Sequence, residues 1–533
     1  MKVSSVLKTL FSSLICTLVL VGCGGGSSST TPPPSGGGDP TYTAGVFEDD
    51  SLFKNRCAVV RTTNDINGNP YPDQAGSILY ENHWLRSWSN DTYLWYDELP
   101  DIDPATYNDP LAYFDQLRTT GLSPSGIPKD QFHFTRDTTE YEQLSVAGVS
   151  FGYGVDFALI SSSPPRLLRI EFVEPGTPAA LANLQRGDTI IAIDGVDVEN
   201  GADVDTLNAG LFPSSDGETH TFTVQDVGTS NTRDVTLTAT EIARDPLPVT
   251  NVVSTANGEV GYMLLSTFGT FKAEDEVFNA MAEFDNANIS DLVIDLRYNG
   301  GGFLYISSQL GYMVAGPGAT SNKTFDLLRF NDKYPTVNPV TGQTISPTPF
   351  YNTTTQYSDQ YGSGVVLPFV NLNRVFILTT RGTCSASEAI INGLRGIDIE
   401  VVLIGDTTCG KPYGFYGTDN CGTTYFTIQF DGVNDKGEGG YSDGFTPMNT
   451  PNGVGILMPG CYVPDDFNFQ LGATDEPLFA AALEYRNSGN CPAITKTTTQ
   501  RSATAPNAEG AIRVPVELNE KILLDPFKDV EEN

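Results

Sequence analysis

Histidine is nearly missing. The 533 residues hold three, His83, His133 and His220. None lies beyond residue 220, so the later half has no imidazole base for an ordinary Ser-His-Asp arrangement. A zinc site built on histidine is a poor reading for the same reason. Basic residues are scarce as well: 30 Lys and Arg stand against 65 Asp and Glu, a formal net charge of −35. That balance excludes an electrostatic grip on nucleic-acid phosphates, and the same field repels an anionic lipid surface. No Cys-x-x-Cys pair or Cys/His cluster offers metal ligands, and no cofactor is called for. Beyond the first two dozen residues no apolar run reaches the ~20 residues of a bilayer span. What is present, 39% hydrophobic and 10% aromatic residues spread along the chain, is enough for real cores, and the length points to three or four domains.

The first residues read as an address. Lys2 and Lys8 give a short basic opening, Leu10 to Val21 is mostly apolar, and Gly22 precedes Cys23, the layout of a signal peptide over residues 1–22. Leu20-Val21-Gly22-Cys23 resembles the bacterial lipoprotein box. The resemblance implies that Cys23 becomes the lipidated first residue of an exported protein, held at a membrane by its acyl chains alone. Gly24 resembles the outer-membrane sorting pattern, so the expected place is the outer membrane, facing the periplasm or the cell surface. Residues 23–40, with GGGSSSTTPPPSGGGDP after the cysteine, read as a tether. Cys16 goes with the signal. Cys57, Cys384, Cys409, Cys421, Cys461 and Cys491 remain, and export permits disulfides among them in a connectivity that spacing does not reveal.

Residues 41–142 are expected to form a small helical module. Trp84 and Trp88, four apart, share a helix face and belong to a core. Asp109-Pro110 opens a second helix over 109–118. DINGNPYPD at 65–73 places oxygen ligands at alternate positions, but it lacks the closing Glu of a calcium loop and reads as a turn. From 143 to 245 short β-rich runs alternate with Gly, Pro and Asn turns around one short helix, TPAALANL. VEPGTPAALANLQRGDTIIAIDGVDV closely resembles a PDZ domain. That resemblance places a carboxylate-binding loop at Gly148, Val149, Ser150, Phe151 and Gly152 and implies a free peptide C-terminus as ligand, added as a strand to a sheet edge. A β-module serving only as a spacer is the alternative. Residues 250–490 alternate apolar strands with helices, which argues for a buried parallel sheet. Residues 491–533 are expected to be a poorly ordered tail.

Chemistry gathers just after two apolar strands. In LVIDLRYNGGG, Gly300, Gly301 and Gly302 let backbone amides aim into a cavity ahead of a helix, although a flexible turn would look the same. In VFILTTRGTCSASEAIINGLRG, Ser385 stands at a strand-to-helix turn, where the Ala386 N–H could stabilise an oxyanion. Ser385-Ala386-Ser387-Glu388 equally fits a capping box, whose serine merely starts a helix. A nucleophilic serine needs a base. With histidine absent, Lys411 is the candidate, because parallel pairing of VFILTT with EVVLIGD brings both strand ends to one edge. An ordinary lysine titrates near 10.4 and must be desolvated to work near neutrality; a direct pair with Asp406 would instead keep it charged and idle.

DLRYNGGG, TCSASE, the following IGDTTCGK and the late GCYVPDDFNF together resemble the tail-specific, or carboxyl-terminal processing, serine proteases over roughly residues 80–485. The resemblance implies a multidomain α/β protein: a crotonase-like α/β protease core preceded by a β-rich PDZ domain and a small helical N-terminal module. It further implies Ser385 as nucleophile, Lys411 as general base, and Ala386 with one of Gly300, Gly301 and Gly302 as the oxyanion hole, acting on protein or peptide substrates with free C-termini. Two positions depart from the pattern. Pro412 and Phe415 stand where many members have Gly and a lysine-orienting Gln. Cys384 is read as packing or half of a disulfide. A catalytically silent lipoprotein that binds peptide tails is the rival reading, and an acyl-thioester enzyme of crotonase type a weaker third.

Overall fold

The computed structural model describes residues 39–142, 149–161, 163–213, 215–493 and 521–522. The expected signal peptide, Cys23, all of the tether but its last residues, and Gly148 lie outside the described residues. So does most of the expected tail.

The N-terminal module is built round the helix Ile78–Thr92, whose Trp84 and Trp88 stack with ring centroids 5.0 Å apart. Both are buried, and Trp84 also meets Tyr425 of the core edge-on at 5.4 Å. The expected second helix is shorter, Pro110–Phe114; the Asp109 carboxylate caps it by accepting Leu111 N–H at 3.0 Å. Gln116 and Leu117 then fold back onto the carbonyls of Tyr113 and Phe114 in tight turns that end it. Asp65 accepts the N–H groups of Asn67 and Asn69, so DINGNPYPD is a turn closed on its own carboxylate. The module is fused to the core. The strand Phe134–Asp137 pairs with Thr423–Phe426, and a disulfide joins Cys57 to Cys421.

Six strands form the second sheet: Val155–Ser161 at one edge, then Leu167–Val173, Thr189–Ile193, Thr219–Gln225 and Thr232–Thr238, with the short Val196–Asp197 paired to Thr189–Ile193 off this path. Its core takes Ile170, Ile190, Ile193, Phe222, Val224 and Leu207, the last from the helix Val204–Leu211. Val149, Ser150, Phe151 and Gly152, expected in a carboxylate-binding loop, do not lie in a loop. Val149–Gly152 is a strand paired antiparallel with Thr240–Ala243. The turn into the free edge strand lies two residues later, at Tyr153 and Gly154, where Gly154 has φ +72°.

The main sheet runs Val249–Thr255, Gly258–Leu264, Asp291–Asp295, Arg374–Thr379, Glu400–Gly405, Gly460–Tyr462; only the first pairing is antiparallel. Its central strands Asp291–Asp295, Arg374–Thr379 and Glu400–Gly405 are buried on both faces almost throughout, as their apolar runs require, whereas the edge strand Val249–Thr255 has no buried residue. Leu292, Ile294, Val375 and Ile377 face one core with the helices Lys272–Ala287, Leu304–Thr320 and Ala386–Gly396. Val293, Phe376, Leu378 and Ile404 alternate to the other face, under the helix Pro477–Ser488. Parallel order sends the carboxyl ends of Asp291–Asp295, Arg374–Thr379 and Glu400–Gly405 to one edge, and from these ends leave the glycine loop, the Ser385 turn and the Lys411 turn.

Candidate active site

Ser385 enters the helix Ala386–Gly396 with φ 57° and ψ −111°, a backbone conformation that costs a non-glycine residue about 1–3 kcal/mol. Something has to hold it there. Glu388 accepts the Ser385 N–H at 3.0 Å and its own N–H faces the Ser385 side chain, the two contacts of a capping box, although the second falls short of hydrogen-bond geometry. The Ser385 hydroxyl, however, is fully buried and has no hydrogen-bond partner among the described residues. A serine kept only as a helix cap would have its oxygen engaged.

Glu388 does more than close a helix turn. Its carboxylate also accepts Gly410 N–H at 2.9 Å, Lys411 N–H at 2.7 Å and the Thr408 hydroxyl at 2.5 Å. One buried side chain therefore fixes the Ser385 turn against the Lys411 turn. Burial pushes its pKa up to about 7, against the pull of these four donors. A second clamp is covalent: Cys384 and Cys409 form a disulfide with α-carbons 5.3 Å apart, so Cys384 is half of a bond and not a free thiol. Cys409 N–H also donates to Thr383 O at 3.0 Å.

Lys411 is fully buried. Its Nζ lies over two aromatic faces, 4.3 Å from the Phe415 ring centroid and 4.7 Å from that of Phe132. Phe415 thus occupies the neighbourhood where an orienting Gln was expected, and Phe132 reaches in from the N-terminal module. The Asp406 carboxylate accepts Thr407 N–H at 2.7 Å.

The glycine loop is tied to the same turn by Asn299. Its carbonyl accepts Cys384 N–H at 3.1 Å and the Ser387 hydroxyl at 2.9 Å, and its side chain donates to Leu265 O. Asn299 Oδ1 accepts Gly301 N–H at 2.9 Å. That contact removes Gly301 from the expected oxyanion donors and leaves Gly300, Gly302 and Ala386. Gly302 has φ +129°, and a Cβ there would come within 2.2 Å of Gly269 N and Phe268 C, so the loop can pack this way only with glycine.

Residues 259–414 match peptidase family S41, residues 80–132 the peptidase S41 N-terminal domain, and residues 169–211 a PDZ domain. Over these three stretches the chain is similar to peptidase family S41 with its N-terminal and PDZ domains. It is 25% identical over 273 residues to a carboxyl-terminal-processing protease of Picosynechococcus sp., an alignment covering 51% of this chain and 57% of that one. It is 27% identical over 248 residues to the chloroplastic C-terminal processing peptidase of Tetradesmus obliquus, covering 44% and 46%. The chain spans about half the length of the curated relatives it matches. The crystal structure of a candidate S41 protease from Bacteroides fragilis superposes with a TM-score of 0.56 at 22% identity, covering 79% of this chain and all of that one, and shows the shared fold.

Ser385, Lys411, Ala386 and the glycine loop leave the carboxyl ends of neighbouring parallel strands at one sheet edge. The roles of Glu388, Asn299 and Phe132 escaped the sequence. Glu388 carried a visible signal, S-x-x-E, but one that spoke for a cap. Phe132 carried none.

Proposed function

We propose that the chain is a serine endopeptidase that cleaves unstructured protein segments through an acyl-enzyme on Ser385. The observation that carries this reading is the Ser385 hydroxyl, buried, unbonded and held at a strained strand-to-helix turn beside the Lys411 turn. Ser385 Oγ attacks the scissile carbonyl and passes its proton to Lys411 Nζ, which must be uncharged at that moment. The oxyanion forms at the start of the helix Ala386–Gly396, where Ala386 N–H and the helix dipole favour negative charge, with a second donor from Gly300 or Gly302. The ammonium returns its proton to the leaving amine, and water, deprotonated by the same lysine, releases the acyl group.

Substrate capture falls to the PDZ domain, by addition of a peptide strand to the free edge Val155–Ser161 at the Tyr153–Gly154 turn. Export through the leader and anchoring through Cys23 complete the reading. All six cysteines retained after the leader form disulfides, Cys57–Cys421, Cys384–Cys409 and Cys461–Cys491, which suits an oxidising compartment.

Ser385→Ala tests the proposal. Since the hydroxyl makes no hydrogen bond, the melting temperature should hold while hydrolysis of an unfolded protein with an apolar tail disappears. Retained hydrolysis refutes the assignment. A tail-binding protein without turnover is the second reading, favoured by Phe415 at the Gln position and by the burial of both Ser385 and Lys411. A serine-reactive phosphonate that labels Ser385, and fails after Lys411→Ala, decides against it.

A further inference from the structure

Near the end of the chain, the strand Lys521–Ile522 pairs in parallel with Gly302–Phe303, Lys521 opposite Gly302 and Ile522 opposite Phe303. The other side of Gly302–Phe303 is already occupied. Phe268 bridges to Gly302, Phe268 N–H donates to Gly301 O at 2.8 Å, and Phe303 N–H donates to Phe268 O at 2.9 Å. What the loop offers outward is thus a short open strand edge, and that edge begins at the last of the three glycines. Lys521–Ile522 also lies against Tyr413–Gly414, which follow Lys411 directly after Pro412. One stretch of backbone therefore bridges the glycine loop and the lysine turn, the two elements that flank Ser385.

An extended substrate has to lie in the same place, because acyl transfer needs a carbonyl held near both the nucleophile and the oxyanion donors. Main-chain pairing at a strand edge supplies that hold without demanding a particular sequence. We propose that the edge Gly302–Phe303 is a peptide-strand subsite of the cleft, and that the segment around Lys521–Ile522 is its resident occupant, an intramolecular competitor of substrate. The burial of Ser385 and Lys411 agrees with a filled cleft. The competitor role rests on the protease reading above; the docking does not.

Tethering makes the competition effective. Lys521 lies 30 residues beyond Cys491, which is anchored to Cys461. A stretch of that length reaches at most about 100 Å, so reach is no obstacle, and covalent attachment holds its end at an effective concentration on the order of millimolar. A substrate must outcompete that concentration, which raises its apparent KM and leaves kcat alone.

The test uses the full chain with Lys521→Pro and Ile522→Pro together, which removes both N–H donors of the strand. On a Ser385→Ala background, where nothing is hydrolysed, amide exchange at Gly302, on the edge that the strand covers, should quicken about tenfold once the strand is released. With Ser385 intact, the two prolines should lower the apparent KM for an unfolded protein about fivefold at unchanged kcat. A synthetic peptide of residues 515–528, added at millimolar concentration, should raise it again. Unchanged exchange overturns the proposal, whatever the chain hydrolyses. Faster exchange with unchanged KM overturns the competitor role. Faster exchange in a chain that hydrolyses nothing upholds the docking and removes the protease reading instead.

Discussion

Cys384 and Cys409 are bonded to one another, so a single covalent link stands one residue before Ser385 and two before Lys411. It closes a loop of 25 residues, and a closure of that length stabilises by about 3 kcal/mol when it constrains mainly the unfolded chain. It also limits how far the two turns can drift apart. Replacing both cysteines by alanine should lower the unfolding free energy by about that amount. It should also lower kcat more than it raises KM, because the damage is to the alignment of hydroxyl and amine rather than to substrate capture. Chemical denaturation and steady-state kinetics on the double variant read both effects.

The strain at Ser385 leads to an unusual expectation. At φ 57° and ψ −111° the position suits glycine better than serine, and the hydroxyl gives no hydrogen bond in return. Ser385→Gly should therefore raise the unfolding free energy, by about 1 kcal/mol after the added entropy of the unfolded chain is subtracted, while abolishing hydrolysis. A clear loss of stability would mean that the serine is there to start the helix.

Glu388 gives the pH dependence a sign. Burial raises its pKa from 4.5 to about 7 in the folded chain. The folded state therefore holds this proton where the unfolded chain has already released it. The resulting stabilisation is complete below pH 4.5, declines as the pH rises through about 7, and is gone above. Glu388→Gln has no proton to hold. Its deficit in stability against the parent should be widest under acid conditions and narrow by on the order of 3 kcal/mol between pH 4.5 and 7. Denaturation midpoints of the two chains across that range check it, and a constant difference would contradict it.

The parallel core could be read from the sequence because DLVID, RVFILT and EVVLIG are unbroken apolar runs that only a sheet covered on both faces can bury. Once they are parallel, the meeting of Ser385 and Lys411 at one edge follows from topology. Cysteine pairing could not be read, since separations of 364, 25 and 30 residues share no pattern. Residues 149–152, read from the sequence as a loop, form a strand. Gly148, Gly152 and Gly154 all invite a loop, and only the cross-strand partners Glu241 and Ile242 make Ser150 and Phe151 part of a strand. Phe132 was beyond reach altogether, being 279 residues from Lys411 with no local pattern to join them.

Phe132 makes the N-terminal module part of the site. Its ring and that of Phe415 both lie within 5 Å of Lys411 Nζ, and a cation over an aromatic face gains about 0.5–2 kcal/mol. Phe132→Leu keeps most of the apolar volume and removes the face. It should cut kcat about fivefold, in line with that energy, while KM stays near its parent value. A change confined to KM would mean that Phe132 shapes the substrate channel instead of placing the amine.

Arg186 couples the PDZ domain to the glycine loop. Its guanidinium is buried and donates to Tyr298 Oη at 2.6 Å, to Asp465 at 2.7 Å and to the carbonyls of Glu171 and Phe469 at 2.9 Å. Tyr298 also donates to Asp465 and stands two residues before Gly300. Burial would push the Asp465 carboxyl up, but Arg186 and Arg297 together hold it below its ordinary range. A buried arginine in such a network is costly to lose, about 3 kcal/mol when its partners remain. Arg186→Met should lower stability by that order, and under the function proposed above, with tails captured at the PDZ edge and the oxyanion held at the glycine loop, it should also bring the hydrolysis of tailed and tailless substrates closer together. The ratio of kcat/KM for the two substrates is the deciding measurement. A fall of that ratio toward unity marks Arg186 as the connecting element, whereas an unchanged ratio in a less stable chain marks it as a structural bridge and no more.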